Sequence, residues 1–280
     1  ITGNGRCNFY NEDQSFKHYH STHQELLQQF LTEENPLHAL NFIESLGVVP
    51  LVKNGYYYPF TNKASTVYEA FLEKLSKTNV KVLLNHKVKN IEIKENGFLI
   101  DNEFYTDVVL ATGSKAYPLT GSDGSGYSLL PFLKDMMIPV LPALTYLECQ
   151  TSYNKLWKGI RSQVTVKLYI DNEMAKKETG ELQFTEKGLS GICVFNLSGS
   201  AALAISQNKN VQVHLDFTPF TDDILSFLQK WSEEKNIKET LAGFLQEPLI
   251  KMIMKQSKIK EEDTFADLSS ERINKLLSNL

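Results

Sequence analysis

The sequence predicts an α/β protein, α+β overall when the whole chain is counted. Three observations predict it. Apolar residues fall at helical spacing up to about residue 77; two runs of short segments, over 81–110 and 145–217, alternate with period two; and helical spacing returns from Pro219 to the end.

The first twenty or so residues are polar and read as a loop, followed by helical spacing from Thr22 to Leu31. The next helix is punctuated at both ends: Asn35 suits the N-cap, Pro36 the first helical position and Gly47 the position just past the end, around a stripe of Leu37, Leu40, Ile43 and Leu46. After a tyrosine-rich segment, Ser65 or Thr66 can cap a third helix running to about Lys77, with Thr66 and Glu69 spaced as a capping box. Lys81–Leu84, Val88–Lys94, Phe98–Ile100 and Val108–Leu110 then read as strands, with Asn96-Gly97 as a hairpin turn.

Pro139 and Pro142 mark a boundary. Beyond it, Thr145–Gln150, Val164–Ile170, Gly180–Phe184, Ile192–Leu197 and Val211–Phe217 read as strands of a small barrel or sandwich, with turns at Asp171-Asn172 and around Gly188 and Gly191. In the helical tail Thr221 caps an apolar face of Ile224, Leu225, Leu228 and Trp231, and further helices are expected around 241–245, 249–255 and 270–277. The expected domains are therefore 1–140, 141–220 and 221–280.

Composition narrows the function classes. With 280 residues, 42% hydrophobic and 22% charged, the chain can bury a substantial core and is not disordered. A net charge of −4 argues against a nucleic-acid partner, which calls for a basic surface. No apolar run reaches membrane-spanning length. Cys7, Cys149 and Cys193 are odd in number and far apart, which suits a reducing cytoplasm and excludes a cysteine zinc cluster. His18, His20 and His23 invite a metal reading, but no carboxylate or cysteine stands at a convincing partner spacing, and no metal is expected.

Three segments can carry chemistry. In Gly3-Asn4-Gly5-Arg6-Cys7-Asn8, two glycines permit positive φ, Arg6 brings a fixed charge, and Asn4 and Asn8 bring amides, a set suited to the polar edge of a flat ring system; the plain alternative is a terminal turn. Ala111-Thr112-Gly113-Ser114 ends an expected strand in small residues, where ligands of open α/β sheets bind, or else runs into an ordinary tight turn. Gly121–Gly126 can form an anion nest, although Asp123 within it argues for a sugar or ribityl hydroxyl; a solvated loop is the alternative. Tyr56–Phe60 is either an aromatic platform or a packing segment. No hydrolytic triad and no P-loop are present.

Taken in order, these segments resemble a known family. Thr2–Asn8 resembles the signature loop of the aminoacetone-oxidase-type, BaiN-like NAD(P)/FAD-dependent oxidoreductases; Tyr58–Ser65 resembles their FP-S-x-KA segment, Ala111–Tyr127 their ATGG…YP…GS-x-G-x-G stretch, and Gly180–Gly191 their GE-x-x-FT-x-x-G-x-SG segment. Ser114 stands where the family usually has a second glycine, and Ile192 where it usually has proline.

The resemblance implies a glutathione-reductase-like, partial FAD-binding three-layer domain, then an inserted barrel-like subdomain and a helical one. It also implies that the chain is cut at both ends, without the family's first βαβ unit and its GxGxxG. Asn4, Gly5, Arg6, Cys7 and Asn8 would lie beside the isoalloxazine. Val88 would offer backbone contacts to the adenine, and Ala111, Thr112 and Gly113 would face the pyrophosphate or ribityl chain. Gly121, Asp123, Gly124 and Gly126 would border the flavin. The implied cofactor is FAD, passing two electrons either from NAD(P)H to a small organic acceptor or from a small, amine-like organic substrate to oxygen. The alternative, from another class, is a non-catalytic binding module that holds no FAD.

Overall fold

In the computed structural model, residues 5–19, 21, 24–31, 34–131, 137–150, 154–231 and 235–280 are described. Helices and sheets are mixed throughout, and the chain divides into two compact units, residues 1–135 and 136–280. No helix among the described residues is long and apolar enough to cross a membrane.

The first unit holds β1 (Tyr10–Asn11), α1 (Gln24–Phe30), α2 (Glu34–Ser45), β2 (Pro50–Lys53), β3 (Tyr56–Pro59), α3 (Ala64–Ser76), β4 (Ile91–Lys94), β5 (Gly97–Ile100) and β6 (Glu103–Tyr105). They make two separate antiparallel sheets, ordered β1-β3-β2 and β4-β5-β6. The first was not expected from the sequence. Its signal is Asn54-Gly55, where both residues take left-handed φ (51° and 80°) and so close a two-residue hairpin between β2 and β3. Asp101-Asn102 (φ 45° and 78°) does the same between β5 and β6.

The structure corrects the reading of α3. It begins at Ala64, after Lys63 in extended conformation, so Thr66 lies inside the helix and makes no capping box; its hydroxyl meets that of Thr61 at 2.6 Å instead. Of the expected Val88–Lys94 strand only Ile91–Lys94 forms. Residues 81–84 and 108–110 lie in no ladder, with Leu84 in a turn, and apolar side chains there are exposed, Leu84 at 81% and Val109 at 90%. A β-prone segment becomes a strand only when a neighbour takes up its N–H and C=O groups, and no described strand of this unit lies beside either segment.

The second unit carries the contiguous apolar core. It holds β7 (Leu147–Glu148), α4 (Asn154–Trp157), β8 (Arg161–Ile170), β9 (Glu173–Phe184), β10 (Gly188–Ser190), α5 (Ile192–Ser206), β11 (Val211–Asp216), α6 (Ile224–Trp231), α7 (Ile237–Leu241), α8 (Glu247–Ser257) and α9 (Ser270–Ser278). The sheet runs β11-β8-β9-β10-β7 and is antiparallel throughout. Asp171-Asn172 (φ 52° and 70°) turns the long β8–β9 hairpin, where the sequence places a turn. Val164, Val166 and Leu168 alternate inward from β8 and are fully buried, together with Leu182 and Phe184 of β9. Phe184 lies 4.9 Å from Trp157 and stacks near-parallel on Phe217 at 6.4 Å between ring centroids.

The expected strand Ile192–Leu197 is instead the first half of α5. A short apolar run does not by itself separate a buried strand from a buried helix. The fifteen residues of α5 bury Cys193, Val194, Leu197, Ser198, Ala201 and Ala204, a helical face laid on the sheet. Gly191 (φ 112°) makes the entry, and a side chain there would bring a β-carbon to 2.5 Å from the Glu181 carbonyl oxygen. Beyond β11, Asn236 caps α7 with a reciprocal Asn236–Glu239 box and Ser269 caps α9, both satisfying N–H groups that a helix start leaves unpaired.

Candidate cofactor site

The candidate cofactor residues named from the sequence belong to the first unit, where, Asn4 and Val88 apart, the structure gathers them around two hydrogen-bonded groups. Asn4 lies outside the described residues. Gly5 (φ 68°) and Cys7 (φ 59°) both take left-handed backbone, which bends the Gly5-Arg6-Cys7-Asn8 loop tightly. The Gly5 carbonyl accepts from the Ala64 N–H at 2.6 Å, and the Phe9 N–H donates to the Tyr57 carbonyl at 3.0 Å. The first signature segment is thereby docked on the second, Tyr58–Ser65, at the start of α3. Arg6 and Asn8 are exposed, Cys7 is half-buried, and the space over Gly5 is open for 4 Å.

The other group joins the segments at 111–114 and 121–126. The Ser122 hydroxyl donates to the Ser114 carbonyl at 2.5 Å, and Tyr117 and Ser122 form an antiparallel bridge. Gly126 packs directly on Thr112, and Gly124 faces Lys115. Gly113, Gly121 and Gly124 all take left-handed φ (76°, 87° and 78°), and nothing lies within 4 Å of where a Gly121 side chain would stand. Asp123 accepts from the Ser125 N–H at 2.8 Å, just ahead of the short 3-10 turn Ser125–Leu129, whose N-cap is the left-handed Gly124. The Ser125 hydroxyl and N–H, with the Lys87 charge, hold the Asp123 carboxyl below the usual carboxylate range.

Val88 is half-buried and lies outside any strand. Its neighbours His86, Lys87 and Lys89 line a polar cleft of about 580 Å³ that also takes in Asn90, Asp101 and Asn102. The Asp101 carboxylate receives the Lys89 and Asn90 N–H groups at 3.0 Å each, with the His86 Nε2 at 3.4 Å. These backbone donors, Lys89 first, lower its pKa, and burial opposes them. Sequence reasoning missed Asp101, Lys87, Ala64 and Ser122; only the Asp101-Asn102 turn pair carries a local signal. His18 pairs with Asp13, Nε2 to Oδ2 at 2.7 Å, while His20 and His23 lie outside the described residues.

Glycine-bounded loops presenting bare backbone, hydroxyls and cations are suited to a flat, polar-edged, nucleotide-type group, not to a metal, which needs a cluster of carboxylate, imidazole or thiolate donors. Rossmann-type cofactor proteins are the class that such loops define. The chain belongs to the HI0933-like protein Rossmann domain family, whose model matches residues 1–261, a family of flavin-dependent oxidoreductases.

Two characterised relatives are similar to it. The 3-dehydro-bile acid delta(4,6)-reductase of Clostridium scindens is 34% identical over 222 residues, covering 78% of this chain and 54% of that protein. The ribosomal RNA dihydrouridine synthase of Haemophilus influenzae is 21% identical over 291 aligned positions, covering 99% of this chain and 69% of that protein. The chain thus spans about half the length of the first.

Proposed function

We propose that this chain forms the flavin-edge part of an FAD-dependent oxidoreductase that moves two electrons between NAD(P)H and a small organic substrate. The observation that carries the reading is the close approach of Gly126 to Thr112, which with the Ser122–Ser114 bond joins two glycine-rich segments. Bound FAD supplies reversible two-electron chemistry.

The residues present fit that group. Bare backbone at Gly5 and Gly121 admits a flat ring or a polyol chain. Arg6 offers a fixed positive charge to a ring edge that gains negative charge on reduction. Asp123, its carboxyl held below the usual range, would accept from ribityl or ribose hydroxyls, and Lys87 and Lys89, which line the cleft beside Val88, would hold phosphate oxygens.

Both relatives' names describe hydrogen added to a carbon–carbon double bond, in a bile acid and in uridine. We read the substrate as a small unsaturated organic molecule rather than RNA, because the net charge of −4 does not favour a polyanion.

The test is titration of the protein with FAD, FMN and NADPH, followed by quenching of flavin fluorescence and by melting temperature. Stabilisation by FAD ahead of FMN is the expected result. Stabilisation by neither flavin overturns the reading in favour of a binding module.

A further inference from the structure

The curled sheet of the second unit ends in two edges, β11 and β7, and both line one cavity of about 910 Å³, with Leu147 and Glu148 on one side and Val211 and Val213 on the other. The register shows which backbone groups face it. The Asp171 N–H donates to the Asn210 carbonyl at 2.9 Å, so the Asn210 backbone faces β8. Facing alternates along an antiparallel strand. Gln212, His214 and Asp216 therefore pair with β8, whereas Val211, Val213, Leu215 and Phe217 turn their N–H and C=O groups away from it. Phe217 bears this out, since its N–H donates outward to the Leu280 carbonyl at 2.6 Å. On the other edge the Cys149 N–H donates to Lys187 at 3.0 Å, which leaves the Glu148 backbone facing outward from β10.

We propose that this seam takes an extended polypeptide strand, contributed by polypeptide outside these 280 residues, that pairs with β11 and carries the sheet toward β7. Three features favour a strand over a small apolar ligand. A ligand without a backbone would leave the row of N–H and C=O groups unpaired, a state that sheet edges avoid. The Leu280–Phe217 bond already makes the first rung on the outer side of β11, so the pairing continues one that exists. The size also matches: a six-residue strand, about 20 Å long in a layer about 4.8 Å wide and 10 Å deep, takes up roughly 950 Å³. The lining sets the side chains of the occupant. Trp157, Ala201 and Met252 call for apolar residues at every second position, with polar residues between them.

The experiment is amide hydrogen exchange on the protein with and without a synthetic peptide of alternating valine and threonine carrying lysine at each end. Val211, Val213 and Leu215 should exchange quickly in the protein alone and at least ten-fold more slowly with saturating peptide, while Gln212 and His214 stay protected in both. Protection of Val213 and Leu215 before any peptide is added overturns the proposal, as does a peptide that leaves their exchange unchanged. A second peptide with the same side chains, N-methylated at every residue, has no N–H to donate on either edge, cannot pair, and should leave both Trp157 fluorescence and exchange as they were. If it shifts Trp157 fluorescence as the first one does, the seam is an apolar pocket and not a strand site.

Discussion

A β-carbon placed on Gly126 would stand 1.9 Å from the Thr112 hydroxyl oxygen and 2.7 Å from the Thr112 β-carbon. Gly126 is buried, and its φ is not left-handed, so contact alone reserves the position for glycine. Gly126→Ala should therefore push the two segments apart, costing about 1–3 kcal/mol, and should weaken FAD binding with it. Thr112→Gly in the same chain should recover most of the loss. A double-mutant cycle on FAD affinity measures the coupling, and additive losses would mean that the two residues do not act through this contact.

Arg6 is exposed on a loop bent by left-handed Gly5 and Cys7 and fastened to Ala64. Arg6→Ala removes a cation without touching the Gly5–Ala64 bond. It should weaken FAD binding by about 1.5–3 kcal/mol, the range for a hydrogen bond to a charged group, and leave the melting temperature of the FAD-free protein unchanged. Flavin-fluorescence titration reads the first quantity and calorimetry the second.

Ile192 is the first residue of α5 and is 75% exposed, and Gly191 before it has extended ψ (164°). Proline is favoured at such a first position, where the preceding residue must be extended and no helical bond is lost. Ile192→Pro should stabilise the protein by roughly 0.4–1 kcal/mol by restricting the unfolded chain. Gly191→Ala should do the reverse, since φ 112° and the Glu181 carbonyl both oppose a side chain. Thermal melts of the two variants should move in opposite directions.

Phe184 is fully buried between Trp157 and Phe217. Phe184→Ala should cost about 3–5 kcal/mol through lost burial and the cavity left behind. The emission of Trp157 should shift to longer wavelength as water reaches it. Urea unfolding followed by fluorescence gives both values.

Asp263 accepts from the Lys260 N–H at 2.9 Å and pairs with the Arg272 guanidinium. The Lys260 N–H holds the carboxyl below its ordinary value near 3.8; burial opposes this, and Arg272 adds to the lowering. A carboxyl with a depressed folded-state value stabilises above its unfolded value, near 4, and that share is lost as the pH falls through the folded one. The melting temperatures of the native protein and Asp263→Asn should thus differ most at neutral pH and converge below about pH 4. A gap that stays constant from pH 7 to pH 2 would show that the charge is not the cause.

The sequence by itself determined the elements whose cause is local. Gly47, Asp171-Asn172 and the apolar stripes of α2 and α6 are legible because a left-handed turn or an amphipathic face is written in neighbouring residues. The signature loops and the family are legible for a related reason, since a glycine that must approach a ligand or another chain segment tolerates few replacements. Only the tertiary structure decided the rest. It turned Ile192–Leu197 into helix, because a continuous apolar run suits either state until Gly191 and the underlying sheet choose between them. It left 81–84 and 108–110 without ladders, because a strand exists only beside a partner. It put Ser122 against Ser114, Gly126 against Thr112 and Ala64 against Gly5, contacts between residues 8 to 59 positions apart that no local periodicity encodes.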